Sequence, residues 1–230
     1  MPSPTPTPGV RPDRRDERAR MIERQIESRG VTDPRDLEAM LAVPREAFLP
    51  ARVARRAYED RALPLGDGQT MSQPYMVAVM TEALDPRPSD RILEVGTGSG
   101  YQAAILARLV SEVYTVERLP SLLDAARRRF RELRVENIES RSGDGTRGWP
   151  EAAPFDRIVV TAAAPEIPEA LRQQLSSDGG RLVIPVGDRQ LQRLVTLERN
   201  GDRFHREDSV RCRFVPLLGA GGWETTTRAP

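Results

Sequence analysis

The 230-residue chain predicts an α/β fold with a doubly wound, mostly parallel sheet, an N-terminal helical segment and C-terminal antiparallel strands. Three observations predict it. Across residues 91–186, short apolar runs alternate with amphipathic helical stretches, the pattern of parallel strands joined by right-handed crossovers. The first of these runs, Ile92-Leu93-Glu94-Val95, leads directly into alternating glycines and then a helical stretch. Beyond Val186 the pattern changes to two alternating runs on either side of Asn200-Gly201, a hairpin turn signal.

Each element follows from local pattern. Residues 1–12 alternate Pro with Ser and Thr, which predicts a disordered, extended tail. The remaining 13–230 are expected to form a single domain: a helical part at 13–88, an α/β core at 89–187 and a β part at 188–230. Residues 13–29 read as a helix capped by Asp13, with Met21, Ile22 and Ile26 on one face and Gly30 at its end. A second helix centres on Leu37, Met40 and Leu41 and stops before Pro44; residues 52–58 make a turn or two. Residues 73–84 are helical, with Pro74 tolerated in the first turn. Pro86 and Pro88 mark 85–89 as a linker. Strands are then expected at 91–95, 113–117, 138–142, 155–161 and 181–186, and helices at 101–110, 119–133 and 167–175. Runs at 193–199 and 204–214 form the closing antiparallel pair.

Composition removes several kinds of chemistry. Every one of the 35 basic residues is Arg; without Lys there is no P-loop lysine and no Schiff base for pyridoxal phosphate. A single Cys, Cys212, and a single His, His205, exclude an intrachain disulfide and a Cys-pair zinc site, and no metal is expected. The formal net charge of +1 gives no electrostatic case for binding nucleic acid or a membrane surface. No apolar run is long enough to span a bilayer, and the start lacks the apolar stretch of a secretory signal. A monomeric cytoplasmic protein is expected, whose reactive group comes from a cofactor or substrate.

The glycine turn suggests which cofactor. In Glu94-Val95-Gly96-Thr97-Gly98-Ser99-Gly100-Tyr101 the chain must turn sharply and let a ligand approach the backbone. Glu117, ending the next strand about 20 residues on, is placed to accept ribose hydroxyls. Asp144, in Gly143-Asp144-Gly145 after the third strand, is placed to reach an adenine edge. Dinucleotide sites use G-x-G-x-x-G, but here the spacing is G-x-G-x-G and Tyr101 takes the last glycine's place. Glu94 would repel a phosphate and suits a cationic group. S-adenosylmethionine carries an ammonium and a sulfonium and no phosphate. The turn resembles the cofactor motif of Rossmann-like class I methyltransferases, and the expected cofactor contacts are Glu94, Gly96, Thr97, Gly98, Ser99, Gly100, Glu117, Asp144 and Gly145. These residues alone leave open a methyltransferase acting on RNA or a small molecule, and a non-catalytic nucleoside-binding module.

Segments outside the glycine turn narrow the acceptor. Arg45-Glu46-Ala47-Phe48-Leu49-Pro50, Gln69-Thr70-Met71-Ser72-Gln73-Pro74-Tyr75, residues 94–102, residues 161–171 and Arg213-Phe214-Val215-Pro216-Leu217 together resemble the protein-L-isoaspartate O-methyltransferase family, from Arg45 to about Trp223. The resemblance implies transfer of a methyl group from S-adenosylmethionine to the free α-carboxylate of L-isoaspartyl residues in damaged proteins and peptides. S-adenosyl-L-homocysteine is released, and the ester collapses to a succinimide that can hydrolyse to aspartate. A carboxylate is already ionised near neutral pH, so no general base is required. By resemblance Ser72 orients the acceptor carboxylate, with Thr70 as a second candidate; read from the residues alone, Ser72 caps the helix beginning near Gln73. Val186, Gly187, Phe214, Val215 and Pro216 are implied to line a peptide channel.

Overall fold

The structure, a computed structural model, describes residues 13–224; the expected tail at 1–12 lies outside them. The first helical run begins as α1 (Arg15–Met21) and continues through a π turn (Ile22–Ile26) and a 3-10 turn (Glu27–Arg29) to Gly30, at φ +95. Asp13, expected from sequence to be its cap, is not. Arg14 holds that position without a side-chain bond, and the Asp13 carboxylate accepts from the Arg18 guanidinium at 3.3 Å. The charged partner four residues into the helix outcompetes a backbone N–H. Helix α2 (Pro34–Ala42) is capped by Asp33, which accepts from the Arg35 N–H at 2.8 Å, and starts on Pro34.

A feature absent from the sequence expectations follows. β1 (Leu63–Gly66) and β2 (Gln69–Met71) pair antiparallel as a small separate hairpin. Its tip, Gly66-Asp67-Gly68, has three successive positive φ values of 120, 51 and 70. Helix α3 (Pro74–Leu84) then leads into the main sheet.

That sheet has seven strands: β3 (Arg91–Val95), β4 (Glu112–Glu117), β5 (Ile138–Ser142), β6 (Arg157–Val160), β7 (Asp178–Gly187), β8 (Gln192–Asn200) and β9 (Arg203–Cys212). Their spatial order is β5-β4-β3-β6-β7-β8-β9. β3 through β7 run parallel, and β8 and β9 are antiparallel to their neighbours, as the change in pattern at Asn200-Gly201 implied. Helices α4 (Tyr101–Leu106), α5 (Pro120–Glu132) and α6 (Glu169–Gln173) make the crossovers; α4 and α6 are shorter than the sequence pattern suggested.

Both faces of the sheet are covered, so the central strands read as continuous apolar runs. Ile92, Val113, Val159 and Val183 face one way, into the cluster made with α1 to α5. Leu93, Tyr114, Ile158 and Leu182 face the other, against Leu171 of α6 and Phe155. The winding reverses between β3 and β6, and in such sheets ligands bind beyond the carboxyl ends of the strands at that point. Among the described residues no helix is long and apolar enough to cross a membrane.

Candidate active site

A cleft opens at this reversal point. Its floor is the turn after β3, its sides come from the ends of β4 and β6, and its rim is formed by Gln69 to Ser72 and Val215 to Leu218. The floor depends on two glycine conformations. Gly96 has φ +98, and a Cβ there would strike the Thr161 hydroxyl, which donates to the Gly96 carbonyl at 2.7 Å and pins the turn. Gly98, which lines the cleft, has φ +52, and a Cβ there would meet no protein atom closer than 3.9 Å. The missing side chain leaves backbone open to a ligand.

Two carboxylates border this floor. Glu94 is 0% exposed. One of its oxygens accepts from the Thr115 hydroxyl, which also bonds Thr97 Oγ1 at 2.6 Å, while Oε1 is buried without a hydrogen-bond partner. Burial pushes its carboxyl up to about 8, and the nearby Glu117 charge acts the same way. A buried carboxyl with a free oxygen lacks a cation or donor. Glu117 accepts from the Gly98 N–H at 2.8 Å and the Leu119 N–H at 2.9 Å. Each oxygen keeps acceptor capacity, so the residue both fixes the turn and can receive hydroxyls.

Other expected contacts take different positions. Thr97 and Ser99 line the cleft, but the Ser99 hydroxyl accepts from the Tyr101 N–H at 3.2 Å and helps start α4. Gly100 supports the turn from behind, against Phe130. Gly145 lines the cleft, and Asp144, expected at an adenine edge, lies beside it outside the lining. The Asp144 carboxylate instead accepts from the Thr146 N–H at 3.0 Å, the Thr146 hydroxyl at 2.7 Å and the Ala220 N–H at 2.9 Å. It ties the segment after Leu218 to the end of β5, and those bonds hold its pKa below the ordinary value despite partial burial.

On the rim, Thr70 and Ser72 both line the cleft. Ser72 does not cap α3: Gln73 holds that position, with no side-chain bond. No hydrogen bond engages the Ser72 hydroxyl among the described residues, whereas its carbonyl accepts from Arg45 at 2.6 Å. Of the expected channel residues, Val215 and Pro216 line the cleft, and Pro216 bridges to Ala163 beyond β6. Val186, Gly187 and Phe214 lie outside its lining: Val186 bridges to Ala164, and the Phe214 N–H donates to Gln192 at 2.9 Å. Sequence reasoning missed Gln102, Arg118, Leu119 and Leu218 as lining residues. Gln102 follows Tyr101 on the first turn of α4, so the glycine signature itself could have pointed to it.

The donor set fits S-adenosylmethionine. A cleft bordered by two carboxylates suits an ammonium and a sulfonium and disfavours phosphate, and the open backbone at Gly98 gives room for a nucleoside. Fold and cleft together define the class I S-adenosylmethionine-dependent methyltransferases. Comparison with known proteins narrows this further. The profile described as "Protein-L-isoaspartate(D-aspartate) O-methyltransferase (PCMT)" matches residues 16–221, and the chain belongs to that family. It is 55% identical over 211 residues to the protein-L-isoaspartate O-methyltransferase of Methanoregula boonei, covering 92% of this chain and 97% of that protein. A solved protein-L-isoaspartate O-methyltransferase superposes with a TM-score of 0.81 at 30% identity, over 89% of this chain and 67% of that one. A putative member from Plasmodium falciparum, solved with S-adenosyl-L-homocysteine, shares the fold at a TM-score of 0.75 and 24% identity, over 87% and 98% of the two chains.

Proposed function

We propose that this chain methylates the free α-carboxylate of L-isoaspartyl residues in damaged proteins and peptides, using S-adenosylmethionine and starting their repair. The observation that carries the proposal is the pairing, in one cleft, of a buried carboxyl with one unpartnered oxygen at Glu94 and an unengaged hydroxyl at Ser72. When bound, S-adenosylmethionine supplies an electrophilic methyl group on a sulfonium. Glu94, Gly98, Glu117 and Gly145 would hold it, with Glu94 receiving a cationic end and Glu117 hydroxyls.

The remaining work falls to the rim. The Ser72 hydroxyl donates to one oxygen of the acceptor carboxylate and orients the other, with Thr70 beside it. No side chain has to remove a proton, because the acceptor arrives ionised. His205 and Cys212, both on β9, do not line the cleft and are not needed. Met71, Leu217 and Leu218 displace water from the rim. Water stabilises a separated carboxylate and sulfonium more than the neutralising transition state, so a drier, aligned pair reacts faster. Val215 and Pro216, held against Ala163 at the rim, can border an extended peptide with little dependence on its sequence.

The test is incubation with methyl-labelled S-adenosylmethionine and two matched peptides, one containing L-isoaspartate and one L-aspartate. Base-labile label on the isoaspartyl peptide alone is expected. Label on neither peptide, or equal label on both, would refute the acceptor assignment.

A further inference from the structure

Behind the rim lies a buried charge that neither the cofactor site nor the peptide channel uses. Arg45 opens the first of the segments that marked the family resemblance, in the 3-10 turn Arg45–Phe48. Its side chain is 0% exposed. Nε donates to the Ala57 carbonyl at 2.8 Å, and one terminal nitrogen donates to the Ser72 carbonyl at 2.6 Å. The other terminal nitrogen, Nη1, is buried without a partner. The guanidinium also lies 4.9 Å from the ring centroid of Tyr101, the first residue of α4 after the glycine turn. Both Ser72 and Tyr101 line the cleft; Arg45 holds the first by a hydrogen bond and meets the second through its ring.

Its electrostatic setting is unusual. Among the described residues Arg45 has no ion pair, although Arg18, nearby in the same packed region, has Glu46 at 3.8 Å. Burial lowers the Arg45 pKa to about 10, opposed by the Tyr101 and Tyr58 hydroxyls and by no carboxylate; the group stays charged at neutral pH. An uncompensated buried cation is costly to keep and calls for an anion.

We propose that Arg45 is a positioning residue for the acceptor: it fixes Ser72 through its carbonyl, and its unpaired charge favours an anionic carboxylate at the Ser72 hydroxyl. The inference rests on the proposed function, because it deepens the same site. Covalent geometry puts the guanidinium within roughly 6–7 Å of the Ser72 hydroxyl, given the 2.6 Å contact to the carbonyl of that residue. At that range plus one hydrogen bond, an effective dielectric of about 20 makes a unit charge worth roughly ten- to thirtyfold in affinity.

Two measurements test it. In the intact enzyme bound to S-adenosylhomocysteine, an isoaspartyl peptide is compared with the same peptide carrying the α-carboxamide. The carboxylate is expected to bind at least tenfold more tightly, and the ratio to persist in 1 M salt, where exposed charges are screened and buried ones are not. A ratio near one, or one that collapses with salt, overturns the proposal. The second compares Arg45→Met with Arg45→Lys. Arg45→Met is expected to raise the peptide KM at least tenfold and to abolish the carboxylate preference, with S-adenosylhomocysteine affinity within threefold of the parent. Arg45→Lys is expected to recover most of that preference. Equal preference in parent and Arg45→Met, or no recovery by Lys, shows a merely structural role. Where Arg45→Met does not fold, the parent's ratio and its salt dependence decide. If the parent methylates the isoaspartyl peptide yet shows no preference, only the role of Arg45 fails; if it methylates nothing, the proposed function fails.

Discussion

Replacing Glu94 by Gln separates what the buried carboxyl does to the fold from what it does for a ligand. Glu94 is 0% exposed, and burial carries its pKa from an ordinary 4.5 to about 8. The folded chain thus holds a proton that the unfolded chain releases. Stability linked to this group is intact below pH 4.5 and is lost as pH rises towards 8. Over that interval the loss is about 4 kcal/mol, at 1.36 kcal/mol per unit. Gln has no charge to desolvate and keeps an oxygen for the Thr115 hydroxyl, but it buries an amide N–H pair, at a cost of about 1–3 kcal/mol. Ligand-free Glu94→Gln is therefore expected to be about 1–3 kcal/mol more stable than the parent at pH 8, and no more stable at pH 5. Cofactor affinity moves the other way. Losing a charge-assisted bond of about 1.5–3 kcal/mol weakens S-adenosylhomocysteine binding roughly ten- to a hundredfold. Urea unfolding between pH 5 and 8, with calorimetric titration of S-adenosylhomocysteine, measures both quantities. A variant that binds as tightly as the parent and loses stability just as steeply with pH would refute the reasoning.

Asp36 gives a second buried acid away from the cleft: both of its oxygens lack partners, and burial pushes it up to about 7. Asp36→Asn is expected to raise the melting temperature at pH 8 and not at pH 4, where the buried amide has no charge penalty to offset it, with no effect on cofactor affinity, as read by calorimetry. Ser72→Ala is expected to lower kcat more than tenfold while S-adenosylhomocysteine affinity stays within about threefold, because the lost bond concerns only the acceptor; near-normal turnover would remove Ser72 from the site. Gly98→Val combines a left-handed backbone, at φ +52, with a branched side chain on a residue that lines the cleft. It should cost about 1–2 kcal/mol of stability and weaken cofactor binding more than tenfold, checked by unfolding and titration. Asp144→Ala removes the acceptor of three hydrogen bonds and should release the segment around Ala220, seen as faster proteolysis there and a loss of about 1–3 kcal/mol.

Local signals carried most of the architecture into the sequence. The crossover strands are apolar and short, Asn200-Gly201 marks the hairpin between β8 and β9, and Pro74 sits where a first helical turn tolerates it. The β1–β2 hairpin was not legible because its strands have only four and three residues, one of them Pro64, too short for alternation to stand out. The fate of Asp144 was hidden for another reason: its partner Ala220 lies 76 residues away, a distance no local pattern spans. Arg45 reaches Ser72 across 27 residues in the same way. The strand-to-helix position of Glu94 was legible, and so was its suitability for a cation. Its depth was not, because burial of that carboxyl comes from Thr115 on the neighbouring strand and from α4 above, contributed by separate stretches of chain.

A crystal structure of the enzyme with S-adenosylhomocysteine and an isoaspartyl peptide reads the proposed geometry directly. The ligand's amino group is expected within hydrogen-bond or single-water reach of Glu94, its ribose at Glu117, and the peptide's α-carboxylate on the Ser72 hydroxyl facing the sulfur. A carboxylate bound away from Ser72, or a cofactor seated outside the turn from Gly96 to Gly100, would contradict it.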